Sequence, residues 1–293
     1  MEKNTSNGIE WFIDDNGTLI INKTSDGDGK IILERETETA RDYEIDNGEE
    51  RLTERERIVA NHAPWRSFWE SITSLQIGEE ITEISDNTFD NLQKITSVQL
   101  PSSLRKIGRK AFEGTPIEKI VIPEGVTDIE NEAFCNCDKL REVVLPESLE
   151  SLGCQAFQKC RSLEEIRIPS KITSIGQRTF DGCERLKTAI LPDELGQIGK
   201  HAFLFCEGLT EIDLPEGLRW IDEGAFMACH NLKNISIPDS VEKIGKDAFN
   251  SCEVAIVPRH INNLDDIFGR DCRMRKSIKY RSVFSSLLRR KNK

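Results

Sequence analysis

The chain has 293 residues, of which 37% are hydrophobic and 31% are charged, and its formal net charge is −11. This acidity disfavours nonspecific binding to nucleic acid or to an anionic membrane surface. The first seven residues are polar with no apolar run after them, and no stretch reaches the length of a membrane span. The sequence therefore predicts a soluble, cytoplasmic protein, with secretion or a cell-surface location as the alternative.

Residues 1–74 are predicted to form an N-terminal cap. Ile9 to Ile13 and Thr18 to Ile21 have the pattern of a β-hairpin. An acidic loop follows, and a short amphipathic helix begins near Trp65. A stack of repeats needs such a cap, because its end would otherwise expose apolar surface and unpaired strand edges.

Between residues 75 and 257 two residue types recur in one register. The steps between successive members are 22 or 23 residues, which predicts a solenoid of about eight 23-residue repeats. The prolines are Pro101, Pro123, Pro146, Pro169, Pro192, Pro215 and Pro238. The phenylalanines are Phe89, Phe112, Phe134, Phe157, Phe180, Phe203, Phe226 and Phe249.

One unit, from Leu145 to Ile168, reads LPESLESLGCQAFQKCRSLEEIRI. Apolar and polar residues alternate from Glu165 to Ile168, which predicts a strand, and Pro169 ends it because proline has no N–H for the ladder. In the next unit Gly176 is expected to permit a tight turn, and Thr179-Phe180 to open a short helical turn. The predicted fold class is therefore an α/β repeat, a solenoid with short strands and short helical turns.

These cores resemble the BspA-like class of leucine-rich repeats. The shared pattern is I-G-x-x-A-F-x-x-C-x-x-L, present here as Ile198-Gly199 with Ala202-Phe203-Cys206 and as Ile244-Gly245 with Ala248-Phe249-Cys252. The resemblance implies bacterial proteins, often on the cell surface, whose usual role is adhesion to host or matrix proteins. It is specific for fold and much less specific for function, since one fold carries many functions.

Six of the nine cysteines form a row at the repeat spacing. We interpret them as small buried thiols, with a partial disulfide or a metal site as alternatives, because zinc needs four converging ligands and a linear row does not supply them. The three cysteines off the row, Cys135, Cys154 and Cys272, are interpreted as incidental surface thiols. The row consists of Cys137, Cys160, Cys183, Cys206, Cys229 and Cys252.

The sequence offers no catalytic constellation. The four histidines lie in no Ser/His/Asp or Cys/His motif, and no glycine-rich phosphate-binding loop is present. We expect no enzymatic activity, no cofactor and no metal.

The outward side of the predicted strands is the best candidate for a binding site. Its first row is Ser97, Lys119, Glu142, Glu165, Thr188, Glu211 and Asn234, and its second row is Gln99, Val121, Val144, Arg167, Ile190, Asp213 and Ser236. Exposed apolar residues beside charges favour a protein partner, although β-branched residues also simply suit a sheet. The predicted partner-binding residues are Gln99, Val121, Val144, Arg167, Ile190, Asp213, Lys119, Glu142, Glu165 and Glu211.

Residues 258–293 are predicted to be a basic C-terminal cap or tail. Between Arg270 and Lys293 the chain carries ten basic side chains and one acid, Asp271. We expect this segment to cap the last repeat, with contact to an anionic membrane or an acidic partner, or to nucleic acid, as alternatives. Its charge also permits head-to-tail association, although we expect a monomer.

The leading functional hypothesis is a protein–protein binding module. The sheet face would recognise a partner protein, in the manner of an adhesin if the chain is exported and with a host or matrix protein as the possible partner. The alternatives are an intracellular scaffold or regulatory adaptor, and an accessory domain that positions a partner enzyme.

Overall fold

The computed structural model describes residues 3–31, 35–46, 49–61, 63–262, 264–268 and 279–280, with backbone alone for 35–46, 49–61, 234, 253–255 and 279–280. It is a solenoid of stacked coils of roughly 23 residues, which confirms the predicted repeat architecture. Each coil has three sides. We call them the long-strand face, the short-strand face and the turn face.

The long-strand face consists of parallel strands, mostly of three residues. The central side chain of each is turned into the core, as with Ile120 and Ile166 at 1% exposure. The outer two side chains point to solvent, so the predicted alternation is confirmed. The strands are Ser74–Ile77, Ser97–Gln99, Lys119–Val121, Glu142–Val144, Glu165–Arg167, Thr188–Ile190, Lys233–Ser236, Glu253–Val257 and Lys279–Tyr280, and residue 211 joins the ladder by one bridge to Thr188.

The short-strand face consists of two-residue strands in parallel register. The second residue of each is apolar and buried, which anchors this side of the coil to the core. The strands are Lys30–Ile31, Glu83–Ile84, Lys106–Ile107, Asp128–Ile129, Ser151–Leu152, Ser174–Ile175, Gln197–Ile198, Trp220–Ile221 and Lys243–Ile244.

The glycines that follow these short strands have a role different from the expected one. They do not adopt the positive φ that would favour glycine at a turn. A Cβ at Gly153 would instead lie 2.4 Å from the backbone N of Asn131 in the preceding coil, and one at Gly245 would lie 2.3 Å from the N of Glu223. At Gly153 and Gly245 glycine is needed because two backbones approach closely. At Gly176 a Cβ would meet the Cys154 side chain at 3.1 Å and backbone atoms only at 3.4 Å.

The turn face replaces the predicted short helical turns. Within the described repeats it contains hydrogen-bonded turns and no helix, and two residues of each coil have positive φ. None of them is β-branched, as the left-handed region requires. The first set is Asn87, Lys110, Glu132, Gln155, Arg178, His201, Gly224 and Asp247, and the second is Asn91, Gly114, Asn136, Lys159, Gly182, Phe205, Ala228 and Ser251.

The predicted phenylalanines form one continuous file inside the stack. Ring centroids from Phe89 to Phe249 lie 5.2–5.8 Å apart with nearly parallel planes, and all eight rings are fully buried. Trp65 extends the file at one end, 5.6 Å from Phe89, and Phe268 extends it at the other, 6.2 Å from Phe249.

The N-terminal segment builds one further coil on the first repeat. Strand Thr18–Lys23 pairs with Ser74–Ile77 on the long-strand face, and Lys30–Ile31 pairs with Glu83–Ile84 on the short-strand face. Ile9–Ile13 completes the predicted hairpin with Thr18–Lys23 and is flanked by Asn4–Ser6. The segment thus meets the repeats through a shared sheet, and the division at residue 74 stays a prediction.

Two parts of this segment differ from expectation. The predicted acidic loop contains a second antiparallel hairpin, formed by Arg35–Asp46 and Glu49–Asn61. The predicted amphipathic helix is a single 3₁₀ turn, Arg66–Phe68.

At the far end a short helix, Leu264–Phe268, covers the last repeat. It continues the turn face, because Asp247 and Phe249 donate backbone hydrogen bonds to Asp266 and Ile267. In the part of the chain that the structure describes, none of the helices has the length and hydropathy that a membrane crossing requires.

Candidate partner-binding face

The structure places the predicted partner-binding residues side by side on the long-strand face. Parallel pairing aligns Lys119 with Glu142 and Val121 with Val144. Arg167 is aligned with Ile190 in the same way. All ten predicted residues are exposed, and the side chains of Val121, Val144 and Ile190 are 53%, 44% and 38% exposed. In the rows beside them Ser236 is half-buried, and the side chain of Asn234 lies outside the described part of the structure.

Two open clefts interrupt this face. The Val144 cleft, about 820 Å³, lies between strands Glu142–Val144 and Glu165–Arg167 and is also lined by Lys119. The Ile190 cleft, about 860 Å³, lies between Thr188–Ile190 and residues 211–213. Eight of the ten predicted residues line one cleft or the other, and only Gln99 and Val121 line neither.

The clefts lie where the strand ladder opens. From Leu100 to Ile237 the residue before each repeat proline is either Ile or Leu, and the ladder is bonded at the Ile positions only. Ile122 donates its backbone N–H to Val144 O at 2.9 Å, Ile168 donates to Ile190 O at 2.9 Å, and Ile237 donates to Ile256 O at 3.0 Å. At Leu100, Leu145, Leu191 and Leu214 the described residues make no equivalent bond.

Burial separates the two residue types in the same way. Ile122, Ile168 and Ile237 are at most 3% exposed, whereas the four leucines are only half-buried against the core. β-branched side chains suit the extended backbone of a sheet, and leucine lacks that branch. We therefore call the Ile positions closed junctions and the Leu positions open junctions.

The charges around the Val144 cleft are mostly paired across coils. Lys119 and Glu142 lie 2.6 Å apart, and Arg141 and Glu118 also lie 2.6 Å apart. A hydrogen bond from Lys187 lowers the pKa of Glu164, the next acid on this rim. These exposed pairs contribute little stability, about 0–1 kcal/mol each, but they leave the rim nearly balanced in charge.

The Ile190 cleft is different, because its carboxylates are not paired. Asp193, Glu211 and Asp213 line it, and within the described residues none of them forms an ion pair. Lys233 is the basic residue on the same rim. The cleft therefore combines an exposed apolar wall with an excess of negative charge.

The cysteine row lies in the interior beside the phenylalanine file. Each thiol donates to the carbonyl of a phenylalanine in the preceding coil, for example from Cys183 Sγ to Phe157 O at 3.2 Å and from Cys252 Sγ to Phe226 O at 2.9 Å. Burial raises the pKa of the Cys137 thiol to about 12 and that of the Cys160 thiol well above its ordinary value. The row is thus buried, as predicted, and each thiol caps a backbone acceptor.

The cysteines off this row divide differently from the prediction. Cys135 is buried, at 4% exposure, and is not a surface thiol. It lies on the turn face, where the neighbouring coil covers it and its Sγ is 3.7 Å from Gln158 Oε1. Cys154 is half-buried, and Cys272 lies outside the described residues.

Cys135 belongs to a cluster of metal-ligand type with Glu113 and Glu132, whose ligand atoms lie within 4.8 Å of one another. The ammonium of Lys110 lies 3.1 Å from Glu113 and 3.0 Å from Glu132 and forms an ion pair with both carboxylates. Burial also raises the pKa of Cys135 to about 12, which opposes the thiolate form. The geometry is that of an ion-pair cluster.

Stacked coils, a shared interior and a solvent-facing strand surface define a leucine-rich-repeat solenoid, a class that generally serves protein interaction. The family described as BspA type leucine rich repeat region matches residues 67–164 and 152–274, with six copies. The chain belongs to this family.

Several solved structures are similar to this chain. A leucine-rich repeat protein of T. pallidum is 22% identical over 86% of this chain and 89% of its own, with a TM-score of 0.48. A leucine-rich repeat protein of Bacteroides ovatus is 20% identical over 95% and 99%, with a TM-score of 0.39. A leucine-rich cell surface protein of Faecalibacterium prausnitzii is 20% identical over 98% and 97%, with a TM-score of 0.39. A search of curated proteins finds no match.

Proposed function

We propose that the protein recognises a partner protein through its long-strand face, in the manner of an adhesin. The supporting observation is the exposure of Val121, Val144 and Ile190 on a face whose neighbouring side chains are charged. Apolar groups ringed by polar ones are typical of interface centres, where they contribute most of the binding energy. The two clefts give this face the relief that a complementary surface needs.

The proposal is tested by replacing Val121, Val144 and Ile190 together with Ser. Binding is measured to immobilised extracellular-matrix proteins and, separately, to partners captured by the intact chain. We expect the triple variant to lose binding while its thermal unfolding stays close to that of the parent, because these side chains are outside the core. A matched control replaces two exposed aromatics of other faces, Phe205 and Trp220, with Ser and should keep binding. Undiminished binding by a folded triple variant would overturn the proposal.

Location distinguishes an adhesin from an intracellular adaptor that uses the same face. Cell fractionation combined with protease treatment of intact cells gives the answer directly. Protein that is digested on intact cells supports the adhesin. Protein that stays protected until the cells are lysed contradicts that role and leaves the adaptor, in the cytoplasm, as the function of this face.

A further inference from the structure

The Ile190 cleft is acidic and has an apolar wall, so it suits an occupant that is both basic and apolar. Its wall contains Ile190, at 38% exposure, and the half-buried Leu191 of an open junction. Its rim carries Asp193, Glu211 and Asp213, none of which is paired within the described residues. The Val144 cleft is similar in size, but its four carboxylates lie among three basic side chains, whereas the three carboxylates of the Ile190 cleft have one, Lys233, so the excess of negative charge is larger at the Ile190 cleft.

One segment of the chain matches the requirement. Residues 281–293 contain five basic and no acidic side chains. The same segment contains four large apolar residues, Val283, Phe284, Leu287 and Leu288. It combines apolar and basic groups, which is the complement of the cleft in both respects.

The fold also brings the start of this segment within reach. Strand Lys279–Tyr280 pairs in parallel with Glu253–Val257 at the end of the long-strand face. Four strand intervals of about 4.8 Å separate it from Thr188–Ile190, so the middle of the cleft is roughly 17 Å away. Seven extended residues after Tyr280 span about 23 Å, which is enough to bring Leu287 to the cleft.

The direction is favourable as well. Because the strands are parallel and in register, the chain leaves Tyr280 at the same edge of the sheet where Leu191 and Asp193 follow their strand. The segment therefore needs no passage around the solenoid to arrive at the cleft.

We propose that residues 281–293 dock in the Ile190 cleft of the same chain. Leu287 and Leu288 would cover Ile190 and Leu191, and the basic residues 289–293 would face Asp193, Glu211 and Asp213. This contact would stand even if the long-strand face bound no partner. If it does bind one, Val121 and Val144 lie outside the docked contact.

The test is zero-length carbodiimide cross-linking of the full chain, followed by mass spectrometry. We expect Lys291 or Lys293 to be linked to Asp193, Glu211 or Asp213. These links should be lost in 1 M salt, because a Debye length of about 3 Å there screens the attraction between the basic residues and the carboxylates. Links from Lys291 and Lys293 to acids of other faces at the same frequency would overturn the proposal.

Variants make the result specific to the cleft. Replacing Leu287 and Leu288 with Ser should abolish the links while all charges are kept, since the apolar contact holds the segment in place. Glu142→Gln together with Glu165→Gln, in the Val144 cleft, is the matched control and should leave them unchanged. Links that persist in the Leu287/Leu288 variant would contradict docking and indicate charge attraction alone.

Mixing ¹⁵N-labelled with unlabelled protein shows which chain supplies the segment. Links confined to one isotope support docking within the chain. Links that combine both isotopes would overturn the proposal in favour of head-to-tail association between copies.

Discussion

The turn face and the long-strand face belong to the same coils but are bonded very differently. On the turn face each coil donates three backbone hydrogen bonds to the next coil, as Gln155, Phe157 and Lys159 do, and the pattern recurs from Asn87 to Ala228. On the long-strand face the equivalent ladder is closed at Ile122, Ile168 and Ile237 but open at four leucines. One face is uniform along the stack, and the other varies from coil to coil.

This difference shows where the constraints on the sequence lie. The phenylalanine file and the thiol row lie behind the turn face, where neighbouring coils fix their spacing at 5.2–5.8 Å. Once that side determines how the coils stack, the long-strand face can lose ladder bonds and change side chains without loss of the fold. Binding surfaces of repeat proteins need this freedom.

Alkaline pH is expected to give the largest effect on stability, through the buried thiols that lie behind the turn face. Burial raises the pKa of six thiols, those of Cys135, Cys137, Cys160, Cys183, Cys206 and Cys229. Because the folded pKa lies above the ordinary value of 9.0, the stabilising effect of these thiols is complete below pH 9 and is lost as pH rises further, through a folded pKa of about 12 for Cys135 and Cys137. The free energy of unfolding should fall by about 1.4 kcal/mol per pH unit for each thiol.

Urea unfolding at pH 8, 9 and 10 measures this dependence. Cys183→Ser serves as the comparison, because lysine and tyrosine titrate in the same range in both proteins. The unfolding free energy of the variant should fall less steeply with pH than that of the parent, by the contribution of one thiol. Equal slopes would mean that the row is open to solvent.

The second prediction contrasts a buried ring with an exposed one. Phe180→Ala removes one member of the interior file and should cost about 3–5 kcal/mol of unfolding free energy, since a cavity remains between two coils. Phe205 is 48% exposed on the turn face, so Phe205→Ala should change stability by no more than about 0.5 kcal/mol. Thermal and urea unfolding of both variants would show whether the file carries the stack, and similar losses would show that it does not.

The third prediction concerns the close approach of coils at the short-strand face. A Cβ at Gly153 would lie 2.4 Å from backbone atoms, whereas one at Gly196 would meet nothing closer than 3.7 Å. Gly153→Ala should therefore destabilise the protein by about 1–3 kcal/mol, as overpacking does. Gly196→Ala is the matched control and should be tolerated in the same unfolding measurement. Equal tolerance of both substitutions would contradict the proposed contact.

The smallest effect on stability, under about 1.5 kcal/mol, is expected from Leu191→Ile, because the two side chains have equal volume. The informative measurement is amide hydrogen exchange. In the parent, the amides of Leu145 and Leu191 should exchange faster than those of Ile122 and Ile168, which are bonded across coils. The substitution should slow exchange at position 191, and Ile168→Leu should speed it at position 168. Unchanged exchange rates would show that the choice between Ile and Leu does not decide whether a junction is open.

Much of this architecture is predictable from the sequence, because the same pattern of residues recurs at a fixed spacing in successive repeats. The spacing of Phe157, Phe180 and Phe203 predicts the file, and the parallel register predicts that Val121 lies beside Val144. The features that the sequence did not predict depend on the backbones of neighbouring coils. The close approach at Gly153 and the burial of Cys135 arise only when one coil lies on another.

The hydrogen-bonded turns of the turn face were not predicted for a related reason. Its left-handed positions are occupied by residues as different as Lys110, Phe205 and Gly224, so no single residue type marks them. The choice of Ile or Leu before each repeat proline can be read from the sequence, and it is the signal that locates the open junctions. The binding role of the long-strand face itself stays a prediction.

The aromatic file has a consequence for how such a chain changes in length. Trp65 stacks on the first phenylalanine and Phe268 packs, more tilted, on the last. The phenylalanines between them repeat one stacking contact, so each coil presents nearly the same surface to the coil above as to the coil below. Duplication or deletion of one complete 23-residue segment leaves both terminal contacts in place. The molecule is therefore built to be lengthened or shortened by recombination in whole units, with each added unit bringing its own two or three outward side chains.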